Sequence, residues 1–271
     1  MTTHDAAVRP HLETPARRTT PQANRRDLIS VAWFVAFSLG LAVGAVAVGA
    51  SPALIPFVLA VGPALIAVGL AWREGDGALG RLWHSLSIRP RDRRWYLVLV
   101  IPVGWALATV ATTMLLGPRS DGPFDTLFPA ILIIPLVVLV PAFTEELAWR
   151  GYALPRLLAS MSPLTASLLL AVPWVAMHLV LFLPGQWYAD LALWPMVVSI
   201  VSYSILLTWI YVGTGGSVLM TGLFHAALNG VAPIMAGIDP DTSWAVRNLL
   251  AAGIAIAVVA LGGLRRPGTR R

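Results

Sequence analysis

Long apolar runs recur along the chain, each parted from the next by a short polar segment, and this pattern predicts a bundle of membrane-crossing helices. The first run extends from Leu28 to Ala50; the others lie near 53–72, 95–117, 127–149, 163–183, 190–212, 215–236 and 246–264. Each is roughly 18–23 residues long, close to the number a helix needs to cross the hydrocarbon core. The expected fold class is therefore all-α, a polytopic membrane protein of about eight transmembrane helices spanning 28–264. Residues 1–27 read as a disordered tail, carrying Pro10, Pro15, Pro21 and five arginines. Arg25 and Arg26 before the first run superficially resemble an export signal, but that run is long enough to remain as the first helix.

Composition narrows the function classes. Of the 271 residues, 57% are hydrophobic and only 12% are charged, where a soluble domain carries about 25% charged residues. Too little polar surface remains for an ordinary soluble enzyme. The formal net charge of +6 comes from arginine alone, since the chain has no lysine. Such basicity could suggest nucleic acid, but the arginines sit in tails and connections. One side would receive the N-terminal tail, Arg73, Arg81, Arg89, Arg91, Arg93, Arg94, Arg156 and the basic C-terminal tail at 265–271. The other would receive only Arg119 and Arg247, with Asp121, Asp125, Asp190, Asp239 and Asp241. That asymmetry predicts a multi-pass protein of the cell membrane with both termini cytoplasmic, whose partners are the lipid bilayer and no nucleic acid. The stretch 73–94 is the only sizeable internal connection expected, with its basic residues against anionic head groups. The chain has no cysteine, which excludes disulfides, thiolate metal sites and cysteine nucleophiles.

Four ionisable residues break the apolar runs. Glu145 and Glu146 extend the fourth run, His178 lies inside the fifth and His225 inside the seventh. A charge near the bilayer centre costs about 2.5–3.5 kcal/mol on insertion scales, so such residues are functional candidates. Glu146 and Arg150 are four apart and can pair on one helix face. Glu145 is rotated by about 100° from Glu146, which leaves it the freer carboxylate and the better general base. His225 and Asn229 share a face of the seventh helix, and Trp174 stands one turn before His178. Pro141 and Pro173 can each kink a helix beside these groups. Taken singly, each group has a plainer explanation: a snorkelling ion pair for Glu146 and Arg150, interhelical packing for a histidine or for Asn229. Together they make one possible cluster on three helices.

The residues Thr144-Glu145-Glu146-Leu147-Ala148-Trp149-Arg150-Gly151 resemble the EExxxR motif of the CPBP family of intramembrane proteases, also called the CAAX protease and bacteriocin-processing or Abi family. Its FxxxH motif is similar to Trp174-Val175-Ala176-Met177-His178, with Trp in place of the usual Phe, which keeps an aromatic wall. Its HxxxN motif matches His225-Ala226-Ala227-Leu228-Asn229. All three occur in the family's order, and the resemblance covers roughly 127–236.

The resemblance implies an intramembrane active-site cavity and hydrolysis of a peptide bond in a membrane-associated peptide or protein. It implies that Glu145 and His178 bind and deprotonate the attacking water. His225 and Asn229, both hydrogen-bond donors, would hold the oxyanion. Glu146 and Arg150 would orient Glu145, and Trp174 would wall the site. Metal use stays open between a glutamic-type and a metallo-endopeptidase. Glu145, His178 and His225 would make a His₂Glu set of the kind that holds catalytic zinc, yet HExxH spacing is absent, which tilts the reading towards a metal-free site. A competing class is a non-catalytic scaffold or immunity protein that captures a peptide; a proton-coupled transporter is a third, without the paired broken helices many transporters show.

Overall fold

The computed structural model describes residues 21–116, 138–230 and 240–264, and among them the only regular structure is helical. Helix α1 (Pro21–Ala47) and α2 (Ile55–Glu74) pack against each other. A short α3 (Ala78–His84) follows, and a 3₁₀ turn over Arg93–Leu99 leads into α4 (Val100–Leu116). Next, α5 (Val140–Glu146) runs straight into a π-helical segment, Leu147–Ala153, and then α6 (Leu154–Leu158). Helix α7 (Pro163–His178) ends in a 3₁₀ turn, Leu179–Phe182. The remaining helices are α8 (Leu193–Gly213), α9 (Val218–Gly230) and α10 (Pro240–Ala260).

Every apolar run that falls within the described residues is helical. Four helices are long and apolar enough to cross a membrane by length and composition: Asn24–Ala47, Ile55–Glu74, Pro163–Phe182 and Leu193–Gly213. Large apolar side chains such as Leu65, Leu97, Leu107, Val172 and Ile256 point outward, which suits a hydrocarbon solvent rather than water. Several serines inside the bundle hydrogen-bond to nearby carbonyls. Ser202 donates to the Val198 oxygen at 2.7 Å, and Ser204 reaches across from α8 to the Ser167 oxygen of α7 at 2.7 Å.

Two expected boundaries shift. Helix α1 begins at Pro21, so residues 21–27 of the expected disordered tail are helical; residues 1–20, the tail at 265–271, and parts of two expected spans, 127–137 and 231–236, lie outside the described residues. The stretch 73–94 is not all loop: Gly75 and Gly77 take positive φ of 65° and 71° and break the chain out of α2, after which α3 forms. Ala78 and Leu82, one turn apart, are buried and anchor α3 to the bundle.

The helices that carry the candidate cluster form the centre. Helix α9 lies against α5, α8 is packed between α7 and α10, and α2 covers both α5 and the π segment. The core runs through Phe34, Trp149, Tyr152, Trp174, Met177, Leu206 and Phe224, all nearly or fully buried. Two close approaches depend on glycine. A Cβ on Gly222 of α9 would sit 2.6 Å from the Phe143 ring of α5, and one on Gly151 would meet Leu82 of α3 at 2.9 Å.

Candidate active site

Pro141 stands near the start of α5, directly after two π-helical residues, Val138 and Leu139. The helix then delivers Thr144, Glu145 and Glu146 into the interior. The π segment that follows ends at Ala153, two residues before Pro155, whose ring clashes with an ordinary α-helical turn behind it. Wider i→i+5 turns of this kind are found mostly as short insertions at functional sites. The stretch Glu145–Arg150 lies buried in the bundle.

Glu146 is the better-tied carboxylate. Its Oε1 accepts from Arg150 Nη1 at 2.9 Å and from His225 Nδ1 at 3.0 Å. The first bond is the i,i+4 pair the spacing predicts. It is no exposed helix-end pair, because the Arg150 and Glu146 side chains are 1% and 0% exposed. The second bond joins α5 to α9. Glu145 turns away from this pair, and its Oε2 accepts the Trp174 indole N–H at 3.0 Å.

Trp174 is the hub. Its ring meets His178 and His225 edge-on, with centroids 6.2 Å and 5.9 Å away. The Arg150 guanidinium carbon lies 4.5 Å from the same ring centroid, a cation–π geometry. Pro173, just before it, lies inside α7. One turn on, His178 Nδ1 lies 2.8 Å from the Trp174 carbonyl oxygen. A carbonyl only accepts, so His178 carries a proton on Nδ1 and, when neutral, presents a bare Nε2 lone pair. An ionised Glu146 carboxylate likewise only accepts, and the proton of that bond then sits on His225 Nδ1. Asn229 lies half-buried one turn beyond His225 on α9.

Glu145, Glu146, Arg150, His178 and His225 are thus gathered around one indole. The hydrogen bond from Trp174 to Glu145 has no counterpart in the expectation that Trp174 is a wall; the signal was the substitution itself, because an indole has an N–H that a phenyl ring lacks. A second network supports the π segment from outside. Tyr152 donates to Glu74 of α2 at 2.6 Å, Arg156 pairs with the same carboxylate, and the Arg156 guanidinium carbon stands 3.7 Å from the Tyr152 ring centroid. Nothing in the local sequence marks it, since Glu74 and Arg156 are 82 residues apart.

Glu145, His178 and His225 are the candidate ligands if the site uses a metal, a point the sequence leaves open. Among the described residues no three His, Cys, Asp or Glu side chains come together in a metal-holding arrangement. Glu145 accepts an indole N–H, and each histidine is engaged through Nδ1, which leaves its Nε2 free. As placed, these three side chains do not gather into a three-ligand set.

Comparison with known proteins falls on this segment. Residues 127–231 match the family model described as type II CAAX prenyl endopeptidase Rce1-like. The chain is also 29% identical over 113 residues to a curated protein named CAAX prenyl protease 2, from Methanococcus maripaludis; the match spans 39% of this chain and 41% of that relative. The chain therefore spans about two fifths of the length of the curated relative it matches. The family match takes in Glu145, Glu146, Arg150, Trp174, His178, His225 and Asn229, so over 127–231 the resemblance to the CAAX-protease family carried by the three motifs is borne out.

Proposed function

We propose that the chain is an intramembrane endopeptidase in which Glu145 and His178 activate a water molecule while His225 and Asn229 hold the oxyanion. The observation that carries this reading is the gathering of Glu145, Glu146, His178 and His225, from three helices, around the Trp174 ring in an otherwise apolar bundle. The substrate class is a membrane-associated peptide or protein, which the surrounding bilayer would deliver; the name of the matched relative supports a peptide with a lipid-modified C-terminal region.

The chemistry balances with these groups alone. The water oxygen bonds to the scissile carbonyl carbon as Glu145 takes its proton, and the carbonyl electron pair moves onto oxygen. His178, with Nδ1–H held by the Trp174 carbonyl, accepts a hydrogen bond at Nε2 and aims the water. When His225 is protonated on both nitrogens, Nε2–H and the Asn229 amide donate to the oxyanion. The Glu146 carboxylate, 3.0 Å from His225 Nδ1, balances that charge, and Arg150 balances Glu146. Collapse breaks the C–N bond, and Glu145 returns the proton to the departing amine. Two carboxylates, one guanidinium and one imidazolium then sum to zero, the condition a low-dielectric interior favours.

The test is cleavage by the purified protein in detergent, read by mass spectrometry on a library of apolar peptides. Wild type is expected to cut, Glu145→Gln to be inactive, and Asn229→Ala to be slower by about 100-fold or more, the usual loss for one oxyanion donor. Equal cutting by wild type and Glu145→Gln would contradict the reading. Chelation of divalent cations is expected to leave the rate unchanged, and a loss restored by added zinc would contradict the metal-free form.

A further inference from the structure

Away from the Glu145 cluster, the bundle holds a second set of polar groups without partners of their own. Arg247 lies about two turns into α10. Its Nε is buried with no hydrogen bond, and among the described residues no carboxylate lies within ion-pair distance of it. The residue is held firmly in place. The Trp105 indole N–H donates to the Arg247 carbonyl at 2.9 Å, and the guanidinium carbon stands 4.8 Å from the Trp244 ring centroid. The next residue, Asn248, is fully buried, and neither its Oδ1 nor its Nδ2 has a hydrogen-bond partner among the described residues. A half-buried guanidinium with its Nε shut away from solvent, and a fully buried carboxamide one residue on, are costly in an apolar bundle unless something completes them.

Two phenols complete the surroundings. Tyr188, from the connection between α7 and α8, packs on Trp244 with ring centroids 5.4 Å apart, and Tyr203 of α8 meets Trp105 edge-on at 5.7 Å. Both lie within electrostatic reach of Arg247. Tyr188 is also within electrostatic reach of Glu145, so this set borders the candidate active site rather than lying at a remote surface. A guanidinium fork with amide and phenol donors nearby is the donor set that recognises a carboxylate.

We propose that Arg247, with Asn248, Tyr188 and Tyr203 around it, forms a subsite for a carboxylate of the bound peptide, either its free C-terminus or an acidic side chain. The proposal rests on the protease reading in that the carboxylate belongs to a peptide lying across Glu145. The subsite would fix which bond faces Glu145, because anchoring one charged end sets the register of an otherwise apolar peptide.

The test uses the full chain carrying Glu145→Gln, so that binding is read without cleavage, in detergent. The probes are dansyl-trileucine as the free acid, the same peptide as its C-terminal amide, and a third amide with Asp replacing one leucine. Energy transfer from tryptophan to dansyl reports occupancy. The acid is expected to bind about tenfold or more tightly than the plain amide, as a charge-assisted hydrogen bond to arginine implies. Adding Arg247→Gln is expected to bring the acid down to the amide's level, with Arg247→Lys intermediate. Tight binding of the Asp-bearing amide assigns the subsite to side-chain carboxylates; weak binding assigns it to the chain terminus. Equal binding of acid and amide, or saturable binding of neither, overturns the proposal, as it would if Arg247 is already neutralised by a carboxylate of the chain itself. The acid-to-amide comparison needs no substitution at 247, so poor folding of that variant does not blunt it. An acid preference lost in Arg247→Gln, together with a wild-type chain that cuts no peptide, would instead overturn the protease reading and leave the subsite standing.

Discussion

At the scale of single residues, Trp174 decides how Glu145 is held. Its N–H is donated to the carboxylate, while its ring touches Arg150, His178 and His225. Trp174→Phe keeps the aromatic body and deletes that one donor. The substitution is expected to lower the cleavage rate by about tenfold, the worth of one hydrogen bond to a charged group, with the melting temperature little changed. A wild-type rate would show that Glu145 needs no such support. Arg150 is a different case, because it balances a carboxylate that is fully buried. Arg150→Met is expected to destabilise the fold by about 3–5 kcal/mol, since the Glu146 charge loses its guanidinium partner. Thermal unfolding in detergent would show it, and a shift of only a degree or two would contradict the account. The Glu146–Arg150 pair was legible from spacing four apart. The bond from Glu146 to His225, 79 residues away, was not, because it is set by how α9 lies on α5 rather than by any local pattern.

At the scale of elements, the site depends on the approach of α9 to α5. Gly222 lies three residues before His225 and lets the Phe143 ring sit directly on the α9 backbone. Gly222→Ala is expected to cost about 1–3 kcal/mol through overpacking and to weaken the His225–Glu146 bond. Loss of both stability and activity, with activity recovered by adding Phe143→Leu, would check it; an unperturbed Gly222→Ala protein would contradict the close packing. Helix positions were largely legible because hydropathy reports a bilayer-length run whatever it packs against. Hydropathy did not report α3, whose seven residues are too short for a span and whose burial rests on Ala78 and Leu82 alone. Nor could it place the start of α10 at Pro240, six residues ahead of the apolar run, because the first turn there is polar in sequence. The π segment was equally invisible, since its residues are as helix-compatible as their neighbours and only the bonding pattern departs.

At the scale of the whole molecule, the arginine distribution predicts an orientation for the chain. With both termini cytoplasmic, a C-terminal green fluorescent protein fusion is expected to fluoresce and an alkaline phosphatase fusion at the same point to be inactive; the opposite pair of results would reverse the topology. The four long spans, the outward apolar side chains and the buried polar centre make one object: a lipid-facing bundle with a cluster of ionisable groups inside it. That the object is a peptidase is the central claim. The most direct test compares the termini of membrane proteins in cells expressing wild type or Glu145→Gln at matched abundance. The account predicts new termini with wild type alone, and these would identify the substrate. Identical termini from two folded, equally abundant proteins would contradict catalysis and leave the polar centre as a peptide-binding or packing device.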